Sequence, residues 1–184
     1  MPNSWKPALL MSLCLFLLGA CAVWKPVEGP LQMENYSVEV PDGWMRFDTD
    51  AYVMISRDGP FLQYVLLQER PLRQPFRHTR KTFSPEMLAP DAARIVIDDL
   101  QADPALSGFE ILSNEPAVID EQEGFKLMFR YHNRNGLPLQ TVYYGFIRAP
   151  FYYSLRYTSV ERHYFQKDLA VFEGIRSSFQ QVSN

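Results

Sequence analysis

The 184-residue sequence predicts an α+β domain, in which an antiparallel β-sheet is flanked by helices, preceded by a cleaved N-terminal signal peptide. Three patterns predict this organisation: an apolar run near the N-terminus, alternating apolar and polar segments in the second half, and a closing amphipathic segment. Removal of residues 1–20 leaves 164 residues, which is enough for one domain with a sizeable core.

The apolar run spans residues 8–18 and follows Lys6. It is shorter than the roughly 20 residues of a membrane span and fits the core of a signal peptide. Leu18-Gly19-Ala20-Cys21 then places an aliphatic and two small residues before a cysteine. This stretch resembles the bacterial lipobox, which implies cleavage before Cys21, a diacylglycerol on its sulfur and acylation of the freed amine, for example by palmitate. The alternatives are an ordinary signal peptide with an incidental cysteine, or an uncleaved anchor helix.

This resemblance implies three segments: a signal peptide (1–20), a lipidated N-terminus with a tether (21–35) and a single α+β domain (36–184). Cleavage removes Cys14, so that Cys21 is the one remaining cysteine and no internal disulfide forms. Two or more acyl chains give stable membrane anchoring. Lipoproteins that are retained at the inner membrane of enteric bacteria carry Asp after the lipidated cysteine. Here that position is Ala22, which favours the inner leaflet of the outer membrane, facing the periplasm. No cofactor other than the covalent diacylglycerol is expected.

Composition argues against nucleic acid as a partner. Loss of Lys6 leaves 17 basic against 21 acidic residues, whereas nucleic-acid binding needs a basic surface. The 10 Tyr and 13 Phe suit sheets with large, half-buried faces.

The first strands follow the tether. Residues 36–41 alternate apolar and polar, Asp42-Gly43 predicts a turn, and Trp44 is expected to fill the start of the core. Residues 51–56 predict a second strand. Residues 61–68 are nearly continuous in apolar side chains, which predicts a strand covered on both faces.

A basic segment comes next, with five positive charges and no acid between them. Its prolines predict a loop. Such a loop is a candidate site for anionic lipid headgroups, peptidoglycan carboxylates or an acidic protein patch. The alternative is a solvated loop paired with nearby acids. The candidate residues are Arg70, Arg73, Arg77, His78, Arg80 and Lys81.

A helix is predicted from Ser84-Pro85-Glu86 to Gln101, since Ser caps helices and Pro fits the first turn. Pro90 either kinks this helix or marks its true start. The side chains expected to face inward are Leu88, Ala92, Ile95, Val96 and Leu100.

Four strands are predicted next, of which the last three form an antiparallel meander: 109–119, 124–132, 139–147 and 152–158. Asn135-Gly136 predicts a type I′ hairpin turn. A closing helix is predicted from one apolar stripe, with Thr158 and Glu161 at capping-box spacing. The stripe consists of Phe165, Leu169, Phe172, Ile175 and Phe179.

The order of these elements, the opening strand Tyr36–Trp44 and the closing stretch Phe172–Phe179 resemble the PsbP-like superfamily. This group includes the photosystem II protein PsbP, Ran-binding Mog-type proteins and bacterial lipoproteins of the DcrB type. The resemblance implies an α/β/α sandwich and, in most members, no catalysis. It supplies no functional residue, because the shared motifs are packing features.

No catalytic or metal-binding motif accompanies these elements. The sequence has no Gly-x-Ser-x-Gly or His-Glu-x-x-His motif, and its three histidines are scattered. The acids near 98–103 and 120–123 fit a solvated surface better than a calcium site. We therefore expect a non-enzymatic accessory or binding module of a cell-envelope process, with an envelope protein as partner. The alternatives are a carrier of a small apolar ligand in a Tyr/Phe-lined pocket and, less favoured, a hydrolytic enzyme. The oligomeric state is not predicted.

Overall fold

The structure, a computed structural model, describes residues 24–182; the predicted signal peptide and Cys21 lie outside this range. Within it the chain forms eleven strands and two helices. In chain order these are β1 (Lys25–Pro26), β2 (Leu31–Gln32), β3 (Tyr36–Val38), β4 (Met45–Asp48), β5 (Val53–Ser56), β6 (Gln63–Pro71), α1 (Ala89–Gln101), β7 (Ser107–Ile119), β8 (Gln122–His132), β9 (Pro138–Arg148), β10 (Phe151–Val160), α2 (Tyr164–Ser177) and β11 (Gln180–Gln181).

Eight of the strands form one antiparallel sheet in the order β1-β4-β5-β6-β10-β9-β8-β7. The other three form a small antiparallel sheet in the order β11-β3-β2. The predicted fold class is therefore confirmed. The four later strands match their predicted ranges to within about two residues, because alternation and turn residues are local signals.

The large sheet separates two apolar cores. One core joins the buried side of β8 to α1 and to the loop before α1, through Phe125, Leu127 and Phe129. The other joins the opposite side of the sheet to α2 and the small sheet, through Val65, Leu155 and their neighbours. Successive strand residues point to opposite faces, so β9 and β10 each supply side chains to both cores.

α2 is fixed to the sheet by polar as well as apolar contacts. Arg57, which follows β5, pairs at 2.5 Å with Asp168, whose side chain is 1% exposed. The Tyr157 hydroxyl donates hydrogen bonds to the carbonyl oxygens of the first two residues of α2. The predicted capping box is wrong. Thr158 lies inside β10, hydrogen-bonded to the Thr141 hydroxyl, and the residue before α2 is His163.

Two further local predictions differ from the structure. α1 begins at Ala89 rather than near Ser84, so the alternative that Pro90 marks the true start of the helix is confirmed. Leu88 is 67% exposed instead of inward. In the β8–β9 hairpin only Gly136 has a positive φ, of 74°, so the turn is not type I′. The type I′ signature of two positive φ values occurs instead at Asp120-Glu121, between β7 and β8.

The N-terminal segment packs on the domain at residues closer to the N-terminus than its composition suggested. Residues 25–26 pair with β4 and residues 31–32 with β3, although both lie in the predicted tether. The Trp24 ring lies 5.6 Å from that of Phe47 on β4. As predicted, Trp44 is buried. The first described residues therefore lie at the β1–β4 edge of the sheet.

We expect Gly145→Ala to destabilise the fold. The added Cβ would lie 2.5 Å from Cζ of Phe125, and closer still to the Tyr152 hydroxyl oxygen. Overpacking of this kind costs about 3 kcal/mol. The matched control is Gly174→Ala in α2, where a Cβ meets nothing within 4 Å and helix propensity stabilises by about 0.5–1 kcal/mol. Urea unfolding of both variants measures the difference. Equal midpoints would contradict the close packing around Gly145.

Candidate functional site

The predicted basic segment, residues 70–81, begins at the end of β6 and continues as a loop beside α1; we call it the basic loop. Backbone hydrogen bonds close it, from Phe76 N–H to the Lys81 carbonyl at 2.8 Å and from Phe83 N–H to the Leu72 carbonyl at 3.1 Å. Phe76 and Phe83 are buried, with their rings 5.1 Å apart. The loop therefore has a fixed conformation although it lacks regular structure.

Acids of α1 hold the inner side of this loop. One carboxylate oxygen of Asp99 accepts hydrogen bonds from the backbone N–H groups of His78 and Thr79, both at 2.8 Å, and from the Thr79 hydroxyl. Lys81 pairs with Asp98 at 2.6 Å. The acids near the end of α1 thus hold the loop, and no cluster of metal-binding side chains occurs among residues 24–182.

The six candidate basic residues fall into two groups. Arg70 lies over the Phe76 ring at 4.2 Å, and burial lowers the pKa of its guanidinium. Arg70, His78 and Lys81 therefore contact other groups of the protein. Arg73, Arg77 and Arg80 are exposed and form no ion pair with any residue in the described range. The structure thus presents three free arginines on a fixed loop.

A second surface lies on the side of the sheet that α1 occupies. One row of cross-strand neighbours runs from β4 across β5 and β6 to β10, and we call this row the open face. Its side chains are partly exposed, and its apolar members belong to neither core. The row consists of Phe47, Met54, Leu66 and Arg156, each directly opposite the next.

The open face results from the position of α1. That helix packs on β7, β8 and β9, at the other end of the sheet. The prediction that residues 61–68 form a strand covered on both faces is therefore wrong for one face. Val65 and Leu67 are buried under α2, whereas Tyr64 and Leu66 point to the uncovered side. The continuous apolar run was the sequence signal of this surface. Such a run is the same for a strand buried on both faces and for a strand with one buried face and one exposed apolar face, so it did not distinguish the two.

Arg156 is the charged residue of the open face. Its Nε is buried without a hydrogen-bond partner, and no carboxylate pairs with it in the described range. Its guanidinium carbon lies 5.9 Å from the centre of the Tyr64 ring. Burial alone would lower the pKa of Arg156, but the attraction of the neighbouring phenol oxygens gives a net upward shift. An arginine is protonated at neutral pH in either case. Those phenols belong to Tyr64, Tyr131, Tyr143 and Tyr52.

A groove of about 440 Å³ adjoins the open face at Tyr64. Tyr131 forms part of its wall, and burial raises the pKa of this tyrosine, so its hydroxyl is neutral at physiological pH. Phe61, 87% exposed, stands at the rim. Thr158, Ser159 and Asn133 make the rest of the lining partly polar. The volume lies within the range of ligand-binding pockets.

Solved structures similar to this chain share its fold. The cyanobacterial PsbP protein CyanoP from Synechocystis sp. PCC 6803 has a TM-score of 0.57 at 16% identity, covering 90% of this chain and 99% of that protein. The Ran-binding protein Mog1p from Saccharomyces cerevisiae has a TM-score of 0.55 at 10% identity, covering 87% and 96%. LpqN from Mycobacterium tuberculosis, which is involved in cell envelope biogenesis, has a TM-score of 0.54 at 15% identity, covering 88% and 91%.

These similarities show that the chain has the PsbP/Mog1 fold, as the order of its elements predicted. Identities this low show the fold alone. No protein-family model and no curated protein matches the chain. Neither helix between residues 24 and 182 has the length and hydrophobicity of a membrane span.

We expect reversal of Arg73, Arg77 and Arg80 to Glu to lower the yield of co-purifying anionic partners about tenfold or more, because charge-assisted hydrogen bonds to those partners are lost. Pulldown from membranes with quantitative mass spectrometry of proteins and lipids measures this. The control reverses Arg94 and Arg162, two exposed arginines outside the loop. An unchanged partner profile in a folded triple variant, or an equal loss in the control, would contradict a binding role for the basic loop.

Proposed function

We propose that this protein is a lipid-anchored accessory and binding module of the bacterial cell envelope, without catalytic activity of its own. Its anchor is a diacylglycerol on Cys21, and its place is the periplasmic face of the outer membrane. The observation that carries the proposal is the fixed basic loop with three free arginines, a preorganised surface for an acidic partner.

The lipobox stretch Leu18–Cys21 supports the anchor, and the short distance to the domain supports a position at the membrane. Cys21 is three residues before Trp24, which packs on β4. A chain of three residues spans at most about 10 Å. The β1–β4 edge would therefore lie next to the lipid headgroups. The role of LpqN in envelope biogenesis, on the same fold, is consistent with an envelope function.

A second candidate function is the carriage of a small amphiphilic ligand. The open face and its adjoining groove favour it, since exposed apolar surface beside a preformed groove is typical of ligand-binding sites. The two functions use different surfaces and are compatible in one protein.

We expect Cys21→Ser to abolish labelling by radioactive palmitate and to weaken the capture of a discrete envelope partner by mild crosslinking in membranes. The physical reason is the loss of acyl chains that hold the protein at the membrane where the partner is met. Mass spectrometry of the crosslinked material measures the partner.

The matched control is Cys14→Ser, which changes a cysteine that cleavage removes. It should leave both labelling and capture as in the unaltered protein. Palmitate labelling of the Cys21→Ser protein would contradict the assignment of the lipid anchor. Equal capture by the unlabelled Cys21→Ser protein would contradict a role for the anchor in partner binding.

A further inference from the structure

We propose that Arg156 binds the carboxylate of a long-chain fatty acid, whose alkyl chain lies along Leu66, Met54 and Phe47 towards Trp24. The inference rests on the second candidate function, ligand carriage on the open face, and is independent of any protein partner. Neither the partner nor the basic loop enters into it.

A bound anion would stabilise the positive charge of Arg156. A guanidinium that is partly withdrawn from water is stabilised by a paired carboxylate or by several acceptors. Here the neighbouring groups are tyrosines, none of which accepts a hydrogen bond from Arg156, and its Nε is buried without an acceptor in the described range. Two other partly buried basic groups pair with carboxylates, Arg57 with Asp168 and Lys126 with Glu173. Arg70, whose Nε is also unpaired, donates a hydrogen bond to the Gln74 carbonyl instead. The open face therefore has one unmatched positive charge.

A carboxylate fits this charge better than a phosphate monoester. The guanidinium is planar and presents parallel N–H groups that match the two oxygens of a carboxylate. A phosphate monoester carries close to two negative charges at neutral pH and calls for a second cation. No other basic residue belongs to the row Phe47–Met54–Leu66–Arg156.

The apolar part of the row fits an alkyl chain in length and chemistry. Phe47 and Arg156 are three strand spacings apart, which is about 14 Å. One leaflet of a bilayer core, half of its ~30 Å thickness, is close to 15 Å and holds a single acyl chain. The groove on the other side of Tyr64 is partly lined by Asn133, Thr158 and Ser159, so it suits an alkyl chain less well.

The direction of the row also fits a lipid taken from the membrane. Its apolar end lies at Trp24, next to the predicted anchor, and its charged end lies farther into the sheet. A fatty acid entering from the membrane side would have its tail towards the bilayer and its head at Arg156.

The experiment uses the full-length, lipidated protein in its own membranes, with a diazirine-bearing fatty acid and the matching neutral alcohol as probes. After irradiation the protein is digested and the labelled peptides are identified by mass spectrometry. We expect the acid to label β4, β5 and β6, and the alcohol to label them at least about tenfold less, as follows from the loss of a charge-assisted hydrogen-bond pair.

Arg156→Gln should reduce labelling by the acid to the level of the alcohol, and Arg156→Lys should give an intermediate yield because it keeps the charge but loses the planar fork. Arg94→Gln, the same change at an exposed arginine of α1, is the matched control and should label normally. Met54→Glu places a negative charge on a partly exposed position of the row that belongs to neither core, and should also abolish labelling.

Three outcomes would overturn the proposal: equal labelling by acid and alcohol, normal labelling of a folded Arg156→Gln protein, or labels confined to residues outside β4, β5 and β6. Preferential labelling by a diazirine phosphatidylglycerol over the acid would overturn the carboxylate assignment. Absence of labelling in a protein that still captures its envelope partner would reject this inference alone. Labelling without partner capture would reject the accessory function alone.

Discussion

The width of the large sheet is the constraint on which the remaining features depend. Seven spacings of about 4.8 Å make the eight strands about 34 Å wide, whereas a helix with its side chains is about 10–12 Å across. On one side α2 and the small sheet together cover the strands. On the other side α1 and the basic loop cover β7 to β9 and the end of β10. The open face is the area that this second layer does not reach.

Local signals predicted the elements well and their surroundings poorly. The meander and the closing stripe were recognisable because alternation, turn residues and helical spacing lie within one stretch of chain. The start of α1, the cap of α2 and the turn at Asn135-Gly136 were predicted wrongly. In each case the residues matched a sequence pattern that other residues of the chain also match. Thr158, for example, is a good capping residue in isolation, but its hydroxyl binds Thr141 within the sheet.

The candidate sites, too, were predicted from the sequence only where their residues are neighbours along the chain. The basic loop was visible as a run of like charges. Its separation into three engaged and three free residues depends on contacts that the sequence does not reveal: Arg70 lies over the Phe76 ring, His78 lies beside Asp103 and Lys81 pairs with Asp98. Of the open face only the apolar run of residues 61–68 was visible, because its four members come from four strands that are brought into one row only by register. Arg156 in particular has the sequence context of any solvent-facing residue in a half-buried strand.

Stability of the fold alone does not explain the composition of the open face. An antiparallel sheet with one solvated side normally alternates apolar residues inward with polar residues outward. The β4, β5 and β6 members of the row would then be polar, but they are Phe47, Met54 and Leu66. Polar residues there would leave both cores intact, since none of the three packs in them. Departures from the pattern that the fold requires are expected at functional sites. Apolar side chains that end at an unmatched guanidinium are therefore best explained by a ligand that is itself apolar at one end and anionic at the other.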